Sequence, residues 1–109
     1  MTHLEFELLV SAARKRQDAI LKAKGNDYAP GEDRLSNFKA ISELLGVTPS
    51  AVCAIYMFKH ILAIMKLVES GQPGSEPATS RFVDAVNYLY LLEATLRERE
   101  PYLFEDVEG

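Results

Sequence analysis

The stretch from Ala51 to Met65 constrains this chain more than any other. Its fifteen residues are apolar throughout except for Lys59 and His60. Thr48 stands before it as a cap, Pro49 suits a first helical position where a missing N–H costs nothing, and Gly71 marks a stop. The pattern predicts a helix over about 49–70. Ala51, Val52, Ala54, Ile55, Met57, Phe58, Ile61, Leu62, Ile64 and Met65 cover nearly its whole circumference. A helix apolar all round is usually buried on several sides. It is therefore either the central helix of the domain or a helix that gives one face to an oligomer interface. The Lys59-His60 interruption falls well inside the roughly 20 apolar residues a bilayer span needs, so a core helix is expected and no membrane association.

Three further segments have helical character. From about 4 to 24, Phe6, Leu9, Ala13, Gln17, Ile20 and Lys24 recur at steps of three and four, and Gly25 is the expected stop. A shorter helix is expected over about 33–45, with the stripe Leu35, Phe38, Ile41, Leu45 and a stop at Gly46. The last runs over about 80–100, with Phe82, Val83, Val86, Leu89, Tyr90, Leu92 and Leu96 on its broad apolar side and Pro101 ending it. Pro-Gly pairs place loops at about 26–32 and 72–80. The expectation is an all-α fold, a single four-helix bundle-like domain over residues 1–109 with two longer loops. At 109 residues and 48% hydrophobic content the chain has enough apolar material for one core.

Charge and cysteine content narrow the function classes. A net charge of −4 and the lack of any basic block beyond Arg14-Lys15-Arg16 argue against nucleic-acid binding. The lone Cys53 excludes a disulfide framework and reads as a small buried hydrophobe. The first residues lack the basic start and apolar run of a signal peptide, so a cytoplasmic location is expected, in a cell or an infected host cell. No phosphate loop of the Gly-rich type occurs, and His3 and His60 with one cysteine do not make a zinc site.

Three polar groups stand where a plain bundle does not need them. Lys59 with His60 sits mid-run in the most apolar helix. Lys59 must either reach solvent with its stem packed or meet an anion, a carboxylate or a phosphate. Asp84, Asn87 and Tyr88 share one face of the last helix by their spacing of three and four. Two oxygen-bearing side chains so spaced can share a hard cation such as Mg²⁺, join a hydrogen-bond network, or pair with Lys59. The third group is Lys24, Asp27, Tyr28 and the Asn37-Phe38 pair around the first loop, where Tyr28 either docks on the domain or covers a ligand.

Taken in order, Lys24-x-x-Asp27-Tyr28, Asn37-Phe38 with Ile41, Thr48-Pro49 with Val52, Lys59-His60, and Asp84-x-x-Asn87-Tyr88 with Leu91-Leu92 form a pattern. It resembles that of a group of small phage and bacterial all-α proteins described as nucleotide-modification-associated, thought to be related to the MazG-like nucleoside triphosphate pyrophosphatases. The resemblance spans about Lys24 to Leu96. It implies a helical bundle, a homodimer or higher oligomer, and nucleotide binding or Mg²⁺-dependent pyrophosphohydrolysis. In the wider group, carboxylates from two neighbouring helices hold the metal. Asp84 and Asn87 stand where one such pair would stand, with Asn87 a neutral replacement. The other pair is missing: the 49–70 helix offers Lys59 and His60 instead, and Glu69 is its only carboxylate. Either other ligands (Asp27, Glu43, Glu76) gather, or the site binds nucleotide without hydrolysing it and Lys59 faces a phosphate. The alternative to both is a non-catalytic factor that binds a host protein through the apolar helix and the Tyr102-Leu103-Phe104 tail.

Overall fold

The computed structural model describes residues 1–28 and 31–105, with the side chains of residues 25–28 excepted. It is all-α: α1 (His3–Tyr28), α2 (Ser36–Leu45), α3 (Pro49–Ser70) and α4 (Ala78–Arg99) are followed by a 3₁₀ turn at Pro101–Leu103, and no strand occurs among the described residues.

Helix ends follow local chemistry. Thr48 accepts a hydrogen bond from the Ala51 N–H at 3.1 Å and Pro49 occupies the first turn of α3. Gly46 and Gly71 close α2 and α3 at φ 69° and 66°, a left-handed conformation that suits glycine, and their N–H groups reach Ser42 O and Leu67 O. Three boundaries differ from expectation. The backbone of α1 continues past Gly25 to Tyr28; a helical glycine costs only about 1 kcal/mol relative to alanine, too little to force a stop. Asp33 precedes α2 instead of opening it. Its Oδ1 accepts the Leu35 N–H at 2.9 Å and its Oδ2 holds Lys39 at 2.6 Å, so it forms the turn that leads into the helix. α4 begins at Ala78, directly after Pro77.

The packing is a chain of neighbours. α1 lies on α4, α4 on α3, and α3 on α2, with α3 and α4 the most extensively packed pair. Buried Leu35, Phe38, Val52 and Cys53 form the core where α2, α3 and α4 meet, with Tyr88, Leu91 and Leu92 packed around it. Ser50 Oγ donates to Thr95 Oγ1 at 3.0 Å, and Thr95, 1% exposed, donates its own hydroxyl hydrogen bond to Leu92 O at 2.7 Å. At the other end Gln17 Nε2 of α1 donates to Val83 O of α4 at 3.2 Å.

α3 is not buried on several sides. Only Val52 and Cys53 are buried along it, while Ile55, Phe58, Leu62, Met65 and Val68 are exposed. Because α1 packs on α4, no other helix covers the far side of α3 among the described residues. By length and hydropathy α3 would also suffice to cross a membrane, a match weakened by Lys59, His60 and Lys66 along its length. Leu45, expected in the α2 stripe, is exposed. The tail folds back so that Phe104 lies under the Arg97 guanidinium, 4.2 Å from it, leaving Tyr102 and Leu103 exposed.

Candidate functional site

Three helices bring polar groups together at one end of the α3–α4 pair. Lys24, near the end of α1, places its Nζ 2.5 Å from Asp84 Oδ1 on α4. The second carboxylate oxygen lies 3.8 Å from His60 Nδ1 on α3. The His60 ring stacks on Tyr88, one helical turn along from Asp84, with centroids 4.9 Å apart and planes 23° from parallel. Tyr88 stacks in turn on Tyr56 at 6.1 Å, and Phe38 meets both tyrosines at 6.3–6.4 Å. A continuous series of contacts therefore links α1, α4, α3 and α2 through residues that a plain apolar core would not require.

Burial sets the protonation of the imidazole. Desolvation holds His60 below its ordinary value. Asp84 opposes this, and Lys24, Lys59 and Arg81 add to it. The shift favours the neutral ring, which stacks on Tyr88.

This cluster borders a groove of roughly 1020 Å³ between α3, the 72–76 segment and the start of α4. Lys59, Lys66 and Arg81 supply cations to its wall; Glu69, Glu76 and Asp84 supply carboxylates. Arg81 is drawn toward Glu76 at 3.5 Å. A second hollow of roughly 510 Å³, between α1 and α4, also includes Glu76 and Asp84 in its lining, so the Lys24–Asp84 pair stands at the divide.

The expected residues sort as follows. Lys24, His60, Asp84 and Tyr88 come together. Lys59 and Asp84 share the groove, but Asp84 pairs with Lys24 and not with Lys59; Lys59 is exposed on the wall. Asn87 is 3% exposed, is not part of either wall, and its Oδ1 is buried without a hydrogen-bond partner among the described residues. Asn37 is exposed at the start of α2, beside core residue Phe38. The side chains of Asp27 and Tyr28 lie outside the described residues. Of the alternative carboxylates, Glu76 reaches the groove and Glu43, exposed on α2, does not. Arg81 is the wall residue that sequence reasoning passed over; its place one residue after the loop, five from Glu76, was the available signal.

Along the groove three cations face three carboxylates. Mg²⁺ needs several anionic oxygens, and no group of three metal-ligating side chains occurs among the described residues. Asp84 is already held by an ammonium, and Asn87 Oδ1 is enclosed. Comparison with known proteins returns no match: no family model, no curated protein and no solved structure is significantly similar to this chain.

Proposed function

We propose that the chain binds a nucleotide in the groove between α3 and α4, in the cytoplasm of a bacterial or phage-infected cell, and that binding is its primary act. The observation that supports this best is the run of polar contacts Lys24–Asp84–His60–Tyr88 beside a groove whose wall also carries Lys59, Lys66 and Arg81. The exposed ammonium groups of Lys59 and Lys66 along a concave surface suit the phosphates of a ligand, and a carboxylate and imidazole at its edge suit hydroxyl or base edges. Hydrolysis of the MazG-like kind would need Mg²⁺ brought in largely by the ligand's own phosphates. Asp84, with Glu69 or Glu76, would then complete the metal's shell, and the Lys24 ammonium would have to yield.

Calorimetric titration with a panel of ribo- and deoxynucleoside mono- and triphosphates, with and without Mg²⁺, tests the reading, followed by product analysis. Binding should weaken about tenfold in Lys59→Ala, the loss of one charge-assisted contact. Absence of heat across the whole panel overturns the reading; binding without turnover supports the non-catalytic form. A protein-binding role has its own support in the large apolar side chains left exposed on α3.

A further inference from the structure

We infer that the exposed stripe of α3 is the contact surface for a second copy of this chain, paired antiparallel across a two-fold axis beside position 60. This inference stands apart from the nucleotide reading, because it rests on the apolar stripe of α3 and the charges that flank it.

Ala51, Ile55, Phe58, Leu62, Met65 and Glu69 follow one another at steps of four, three, four, three and four. That is the spacing of a seam between two helices, and it keeps one face toward a partner over the length of the helix. The opposite face of α3, with Val52, Cys53 and His60, is turned to the domain's own core and the Asp84 cluster. Ile55, Phe58, Leu62 and Met65 are 61%, 58%, 62% and 48% exposed. Large apolar side chains left exposed along one helix are unusual for a chain that works alone.

The stripe is also symmetric about its centre. In an antiparallel pair, Ile55 of each copy would face Met65 of the other and Phe58 would face Leu62. Glu69 would face Ala51, in the first turn of the other α3, where the helix's positive end favours a carboxylate. A parallel pair would set Glu69 against Glu69 in the seam. The antiparallel pair separates these carboxylates, and the Lys59 and Lys66 stems cover the seam's edge. A C₂ contact of this kind is the commonest way a soluble chain closes an apolar face. The four exposed side chains and the flanking lysine stems offer on the order of half of the roughly 800 Å² per partner of a standard interface, which points to a reversible dimer. Ile55, Phe58 and Leu62 line the groove as well, so the second copy would run along its mouth and narrow it.

Light scattering during gel filtration, over a wide range of protein concentration, tests this. The wild-type chain should run at twice its monomer mass and dissociate on dilution. Leu62→Glu and Met65→Glu, each made separately, should give monomers with unchanged far-UV circular dichroism. Leu44→Glu, at an 85% exposed site on α2, should leave the dimer intact. A wild-type monomer at every concentration overturns the proposal, as does a dimer that survives both stripe variants. So does a monomer that floats with phosphatidylcholine vesicles, which would make a bilayer the occupant of this face.

Discussion

His60 is the residue whose chemistry the fold changes most. Its folded-state value lies below the ordinary 6.5, chiefly because burial disfavours the charged ring. The unfolded chain therefore takes up a proton more readily than the folded one. The stability linked to a neutral His60 is fully present above the unfolded value and is lost as pH falls through the folded value. The thermal midpoint should fall between pH 7.5 and 5.5, and His60→Gln should flatten that part of the profile in a differential scanning experiment. Cys53 behaves in the opposite sense: its thiol is fully buried and pushed up to about 11 by desolvation. A disulfide reagent such as Ellman's should leave it untouched in the native protein at pH 8 and titrate it in denaturant. Asn87 is the residue whose burial is least explained by packing. An enclosed amide oxygen without a partner costs about 1–3 kcal/mol, so Asn87→Leu should leave urea stability unchanged or raise it. Chemical denaturation measures this directly, and a strong loss of stability would show that the amide is an ordinary structural bond.

At the scale of elements, what could be read from the sequence depended on how local the cause was. The start of α3 needed only Thr48, Pro49 and the residues that follow, and it lies where those residues place it. Thr48→Ala removes the acceptor for the Ala51 N–H and should cost about 1 kcal/mol in urea denaturation, with little change in the slope of the transition. The stops at Gly46 and Gly71 were equally local. One end that differed had part of its cause elsewhere. Asp33 is drawn out of α2 by Lys39, which also pairs with Glu98 of α4, a contact no window of neighbouring residues contains. The candidate site divides in the same way. Asp84 and Tyr88 were legible as one face of α4. That Lys24, sixty residues earlier, would take the carboxylate in place of Lys59 depended on α1 packing on α4 instead of α3.

The whole molecule is more open than its composition suggests. A chain of this length packed as one ordinary globule has a radius of gyration of about 13 Å; this one has 15.9 Å, with Leu4, Phe6, Leu8 and Leu9 exposed on the first half of α1. With 48% hydrophobic residues, the chain buries only six apolar side chains among the described residues. Of the two expectations for α3, a central helix or an interface helix, the first is met on one face only: that face serves the domain core, and the other is exposed. Such a molecule should draw a sizeable part of its stability from association. The small α2–α3–α4 core leaves little in reserve: Phe38→Ala, at the junction of all three helices, should cost about 3–5 kcal/mol, comparable to the whole stability of a marginal domain. If dimer formation contributes, mass action makes the transition depend on concentration, since dilution favours the monomer that unfolds. The wild-type thermal midpoint should rise with protein concentration in calorimetry, and that of Leu62→Glu should be lower and independent of it. A midpoint that stays fixed over a hundredfold range, roughly 2.7 kcal/mol of association free energy per mole of dimer, would mean that the open apolar face adds nothing to folding and that α1 and the α2–α4 core hold the monomer together unaided.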